Sequence, residues 1–202
     1  MRAMFIRPYR PADYDVIIDI CRLTGAGGQD ATPRLERPEL MGAVWAAPYV
    51  EFEPEHAIVI EDDAATVVGY ALGAVDTVAF EDVLAQKWWP HLQQKYPLEL
   101  AKDVPAGFLD RPLIERIHAA PRTDAALTDE WPAHLHIDLL PAVQGKGMGR
   151  KTMTALLDLL RDAGAPGVHL GVDPANTGAI AFYERLGYER FAPNSSMFVM
   201  KL

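Results

Sequence analysis

Gln144-Gly145-Lys146-Gly147-Met148-Gly149 is the stretch that decides how this chain is read, because of what stands on either side of it. Upstream, His134-Leu135-His136-Ile137-Asp138-Leu139-Leu140 is rich in branched residues and stops at Pro141, as a strand does. Downstream, Met153, Leu156, Leu157 and Leu160 recur at helical spacing, which predicts a helix over 149–163 ended by Gly164. Three glycines on alternate positions let the main chain approach a ligand with no Cβ in the way. The helix behind them turns its first free N–H groups and the positive end of its dipole to the same point. Lys146, Arg150 and Lys151 add side-chain charge, so the stretch reads as a phosphate cradle.

Two familiar glycine loops do not fit. A nucleotide-hydrolase loop ends in Gly-Lys followed by Ser or Thr, whose hydroxyl holds magnesium; here Gly147 follows Lys146. A dinucleotide fingerprint spaces its glycines x-x between the second and third and opens the fold, with an acidic residue about 20 residues on. Here every glycine is one residue from the next and the unit comes late in the chain.

The pattern Gln-x-x-Gly-x-Gly after a strand resembles the acyl-CoA pyrophosphate loop of the GNAT superfamily of N-acetyltransferases. Asn176-Thr177-Gly178-Ala179-Ile180-Ala181-Phe182-Tyr183-Glu184-Arg185-Leu186-Gly187-Tyr188, about 30 residues on, resembles that superfamily's second hallmark, an Asn, a helical Phe-Tyr, then Leu-Gly-aromatic. Ile6-Arg7-Pro8-Tyr9, Gly69-Tyr70-Ala71-Leu72-Gly73, Trp89-Pro90 and Ile137-Asp138 are similar to bacterial relatives of the acetyltransferase-like C-terminal domain of eukaryotic O-GlcNAcase. In that eukaryotic domain the phosphate loop has diverged, whereas this chain keeps the glycines.

The resemblance implies an α/β fold with a mixed, mainly antiparallel sheet covered by helices on both faces. It also implies an acetyl-CoA-dependent transfer of acetyl to an amine, on a small molecule or a protein, without a metal. The alternative is an acyl-CoA-binding pseudoenzyme or sensor. By resemblance the donor is held by Leu139, Leu140, Gln144, Gly145, Lys146, Gly147, Met148, Gly149, Arg150, Asn176 and Tyr183. The strand before the loop diverges from its neighbour in that fold, freeing main-chain groups at Leu139 and Leu140, with the Leu140 N–H as an oxyanion donor. Tyr183 matches the tyrosine that protonates the leaving thiolate; a phenol of pKa about 10 keeps its proton at neutral pH.

Asp138 stands out on the residues alone. A carboxylate inside an apolar strand costs several kcal/mol unless it is paired or protonated. It is read as a general base or amine anchor, with a buried structural Asp as the other reading. His134 and His136 project to one face of the same strand and read as structural or cleft-lining, a weak metal signal without a third ligand. Asn176 is read as a helix cap that can also reach the donor.

Composition bounds the rest. With 202 residues, half of them hydrophobic, the chain suits a single domain over 1–202 with an insertion at about 77–133. A formal charge of −9 argues against nucleic acid as a ligand and favours cationic acceptors. Apolar runs are too short for a membrane span, and the lone Cys21 suits a reducing cytoplasm. A homodimer is left open.

Along the chain, Phe5-Ile6-Arg7 predicts a strand and Asp13 a helix cap before Val16, Ile17, Ile20 and Cys21. Glu39 to Trp45 predicts a second helix, and 57–60 and 66–72 a hairpin turning at Asp62-Asp63. The insertion, with Pro90, Pro97, Pro105, Pro112, Pro121 and Pro132 breaking its helices, is expected to cap the sheet and narrow the acceptor cleft. The Gly25–Gly28 loop is expected beside that cleft. Strands at 188–191 and 197–201 close the chain.

Overall fold

The computed structural model describes residues 3–202. In chain order it runs β1 (Met4–Pro8), α1 (Tyr14–Thr24), α2 (Glu39–Trp45), α3 (Ala47–Phe52), β2 (Ala57–Asp62) and β3 (Val67–Ala74). The insertion follows as α4 (Thr77–Val83), a π-helical turn at Leu84–Trp88, α5 (Trp89–Lys95), α6 (Leu100–Asp103), α7 (Asp110–Ala119) and α8 (Ala125–Thr128). The C-terminal part is β4 (Ala133–Leu139), α9 (Met148–Asp162), β5 (Gly167–Gly171), α10 (Thr177–Leu186), β6 (Glu189–Arg190) and β7 (Met197–Lys201).

The strands form one sheet in the order β1-β2-β3-β4-β5-β7-β6. Its pairs are antiparallel except β4 with β5, so the mixed, mainly antiparallel sheet expected from the sequence is what forms. β3 and β4 pair along six residues, from Gly69↔Leu139 to Ala74↔His134. β4 and β5 pair only at Ala133↔Val168 and His134↔His169, then part company. From Leu135 onward β4 has a sheet partner on one side alone.

Each face of the sheet buries its own apolar cluster. One gathers α1, α2 and the insertion around Ile17, Ile20, Leu40, Tyr70, Leu72 and Ile114. The other joins α9 and α10 to the sheet through Met153, Leu156, Leu160, Leu170, Tyr183 and Phe198. The apolar stripe read from the sequence of α9 is the one buried, because its residues lie on one side of a 3.6-residue repeat.

Three local expectations are corrected. Asp13 does not cap α1 with its side chain. Its carboxylate instead takes both arms of the Arg7 guanidinium, at 2.7 and 2.8 Å, and the Arg10 N–H at 2.8 Å. That fork fixes β1 to the start of α1 and holds the Asp13 carboxyl below the usual range. The insertion's prolines also break less than expected. Pro90 and Pro112 lie inside the first turns of α5 and α7, where a missing N–H removes no helical bond. Finally, the insertion packs beside α2 rather than over the cleft. The buried Asp110 of α7 accepts the Glu36 and Arg37 N–H groups at 2.9 and 3.0 Å and ties the two together.

Among the described residues no helix is long and apolar enough to cross a membrane.

Candidate active site

Where β4 and β5 separate, a cleft of about 580 Å³ opens through the sheet. Its floor follows from strand alternation. Leu140 N–H donates to the Val68 carbonyl at 3.0 Å, so the even-numbered residues of β4 direct their main-chain groups at β3. Leu135, Ile137 and Leu139 then direct theirs at the gap. The expected oxyanion donor at Leu140 is therefore corrected: its N–H is committed to the sheet, and the open one at that depth belongs to Leu139. The Leu139 carbonyl accepts the Gln144 side-chain amide at 2.8 Å, which pins the start of the glycine loop to the end of the strand.

The loop itself is shaped by two left-handed residues, Gly145 at φ 71° and Gly147 at φ 78°. A Cβ at either would meet nothing within 4 Å, so the surface beside them is open to a ligand. Gly147 caps α9, whose first internal bond within reach is Lys151 N–H to Gly147 O at 3.3 Å. The N–H groups of Met148, Gly149 and Arg150 precede it and face outward from the helix end, where anions are favoured. Gly149 serves a different purpose from its neighbours. A Cβ there would come within 3.2 Å of the Phe182 ring, so the absent side chain lets α9 and α10 touch.

Of the sequence-predicted residues, Asp138, Leu139, Gln144, Gly145, Gly147, Gly149, Arg150, Asn176 and Tyr183 line this one cleft. Leu140, Lys146 and Met148 do not. Leu140 packs into the cluster on the α1 side, the Lys146 ammonium turns back to the Ala142 carbonyl at 2.6 Å, and the Met148 side chain is buried. Arg185 and Phe182, which sequence reasoning passed over, join the lining. Both sit in the same helical motif as Tyr183, where a helical projection from Tyr183 and Ala179 would have found them. No insertion residue is among the lining, whereas Thr24, Gly27, Gly28 and Gln29 of α1 and its following loop are.

Asn176 caps α10 by accepting the Ala179 N–H at 3.0 Å. That leaves its amide nitrogen free at the cleft edge. Tyr183 is buried among Phe182, Tyr188 and Phe198, yet its hydroxyl has no hydrogen-bond partner among the described residues. Burial, and then the nearby Asp138 charge, push its pKa up, so the phenol stays protonated at neutral pH.

Across the cleft the polar groups are linked to one another. Tyr70 stands opposite Asp138 in the β3–β4 register and donates its hydroxyl to Asp138 Oδ2 at 2.5 Å. His136 Nε2 lies 3.1 Å from the same oxygen, and His136 Nδ1 lies 2.7 Å from the Trp45 carbonyl of α2. Asp138 is thus paired, as a carboxylate in an apolar strand must be. Cys21 from α1 completes the cluster. Its Sγ, a ring nitrogen of His136 and a carboxylate oxygen of Asp138 all lie within 4.8 Å of one another. Burial, reinforced by the Asp138 charge, keeps the thiol protonated. His134 is different again. Its ring sits beside Thr77, Phe80, Tyr49 and His169, and burial and the neighbouring imidazoles push its pKa down to about 3. It is a neutral internal histidine.

The comparisons agree with this geometry. The sequence profile of the acetyltransferase (GNAT) family matches residues 28–188. Protein O-GlcNAcase of Rattus norvegicus is 27% identical over 187 residues, which are 90% of this chain and 20% of that protein. Mycothiol acetyltransferase of Renibacterium salmoninarum is 36% identical over 76 residues, 38% of this chain and 21% of that one. The chain thus spans about a fifth of the length of the curated relatives it matches. Among solved structures, SsHAT superimposes with a TM-score of 0.89 at 39% identity, covering 98% of both chains. A phosphinothricin acetyltransferase from Sinorhizobium meliloti, in complex with acetyl-CoA, shares the fold at 16% identity and a TM-score of 0.58, over 98% of this chain and 88% of its own. By profile, by identity and by the shape of its split sheet, this chain belongs to the GNAT acetyltransferase family.

Proposed function

We propose that this protein is an acetyl-CoA-dependent N-acetyltransferase acting on an amine acceptor. The observation that carries the reading is the meeting of three features in one cleft: an open main-chain edge on β4, a left-handed glycine loop at a helix N-terminus, and the Asp138 and Tyr183 side chains. The residues present suit the donor. The unfilled space beside Gly145 and Gly147, the first N–H groups of α9, and the Arg150 and Arg185 guanidiniums suit a pyrophosphate. The main-chain groups of Ile137 and the N–H of Leu139, directed at the gap, suit an amide-bearing arm laid along the strand. Bound, acetyl-CoA supplies the acyl group and a thiol leaving group.

Within that frame the chain's own residues divide the work. Leu139 N–H is the donor available where negative charge develops on the acyl oxygen. Tyr183 holds a proton at the cleft for the departing thiolate, with no acceptor competing for it among the described residues. Asp138 receives the acceptor's positive charge, in keeping with the chain's net charge of −9. Entry for the acceptor is by the Gly27–Gly28 side, where Gln29 also lines the cleft.

Two measurements test this reading. Calorimetry with acetyl-CoA should show one binding event per chain, and thiol release over a panel including glucosamine, spermidine and a lysine peptide should show turnover. Absence of binding would remove the donor assignment. Binding without release across the panel would favour a sensor.

A further inference from the structure

We propose that His136 and Asp138 act as one pair sharing a single proton across their Nε2–Oδ2 contact, and that Asp138 Oδ1 receives a primary ammonium acceptor. This inference rests on the acetyltransferase reading for its chemistry but not for its test. The far side of the His136 imidazole fixes its tautomer. Nδ1 lies 2.7 Å from the Trp45 carbonyl, which can only accept, so Nδ1 carries a hydrogen. Nε2 then faces Asp138 Oδ2 at 3.1 Å. A lone pair and a carboxylate oxygen at that distance repel unless a proton lies between them. Oδ2 already accepts the Tyr70 hydroxyl, and Oδ1 has no hydrogen-bond partner among the described residues. Asp138 lines the cleft, so Oδ1 is the oxygen left for a cation there.

The groups facing the pair leave the titration to it. From α1 comes Cys21, from β3 Tyr70 and from α10 Tyr183; burial raises the pKa of all three, so none loses its proton near neutrality. On β4 itself, His134 stays neutral. Arg116 of α7 stands over the Trp45 ring at 4.3 Å. Burial pulls the His136 imidazole down, but the charge and hydrogen bond of Asp138 and the Trp45 carbonyl raise it above its ordinary value.

The proton count closes. Acylation of R–NH3+ forms one N–C bond, breaks one C–S bond and removes two protons from nitrogen. The first passes to Asp138 and is shared with His136, giving the neutral amine. Tyr183 gives its proton to the departing thiolate and takes the second from nitrogen in its place, and the pair returns its own proton to water. The pair accepts a proton only when it holds none, so kcat/KM rises with pH through the His136 midpoint. His136 is in this sense a positioning residue that acts through Asp138.

The test follows His136 by NMR in histidine-labelled full-length protein, with methylammonium as the probe. The expected His136 midpoint lies above the ordinary imidazole value of about 6.5. A cation on Asp138 favours the proton-free pair, so methylammonium at ten times its dissociation constant should lower that midpoint by about one pH unit. Asp138→Asn should abolish the displacement. His136→Gln, which keeps an amide donor to Asp138, should lose the acid limb of the kcat/KM profile and about tenfold in kcat/KM at pH 8. A His136 midpoint unmoved by methylammonium, or an acid limb unchanged in His136→Gln, would overturn the proposal. If the midpoint moves but no amine yields thiol, only the acetyltransferase reading falls.

Discussion

Beside the glycine loop the cleft is walled by main chain, whereas opposite it the wall is made of side chains that hold one another. The first wall consists of the open edge of β4, the left-handed turn at Gly145 and Gly147, and the N-terminus of α9. The second is Asp138, backed from behind by Tyr70 of β3 and His136 of β4, the latter steadied by the Trp45 carbonyl. A wall of backbone recognises what every acyl-CoA shares and tolerates many side-chain changes. A wall of linked side chains sets charge and proton traffic, and each member is exposed to substitution. Similarity at the glycine loop therefore speaks to the donor, while on the proposed reading the acceptor meets the side chains around Asp138.

The comparison can be broken at three points. The largest effect is expected from Asp138→Asn, which should lower kcat/KM by about 10³-fold, the range of a general base, while calorimetry gives an acetyl-CoA affinity within about twofold of the parent. Loss of donor affinity to the same extent would show that the walls are not separate. Tyr183→Phe should come next, with kcat lower by about 10²-fold and donor binding unchanged. Turnover equal to the parent's would take Tyr183 out of the chemistry. Gly147→Val is the mirror image and the smallest. A branched residue forced to φ 78° costs about 1–2 kcal/mol and places atoms in the open space of the cradle. It should weaken acetyl-CoA binding by about tenfold while leaving kcat at saturation nearly unchanged.

The same contrast explains what could be read from the sequence. The glycine loop, α9 and α10 were legible because their signals are local. Gly147 starts one helix, Asn176 caps another, Gly187 ends it, and each acts on residues within one turn. The mixed, mainly antiparallel character of the sheet followed from the resemblance those signals carry, whereas its strand order rests on long-range pairing. The partners of Asp138 were not legible, since Tyr70 reaches it through a strand register sixty-eight positions away in sequence. His136 was noticed, but its role depends on a carbonyl ninety-one positions away. The insertion misled for another reason. Its prolines read as helix breaks, which Pro97, Pro105, Pro121 and Pro132 are, and only the three-dimensional start of α5 and α7 shows that Pro90 and Pro112 fall in first turns. Leu140 erred by a single residue, which in a strand reverses the direction of every main-chain group.

The two residue pairs that join β4 to β5 have a mechanical meaning as well. A sheet resists bending through its rungs, and here one seam keeps two of them while β3 and β4 share six paired positions. The protein is in effect two plates, β1 to β4 and β5 to β7 with β6, riveted at one end. Such a joint is stiff where the rivets sit and compliant at the open end, beside the glycine loop. The close approach of Phe182 to Gly149, where a Cβ would come within 3.2 Å of the ring, lies on that open side. A ligand laid along β4 would supply missing rungs, so occupancy and rigidity of the molecule rise together.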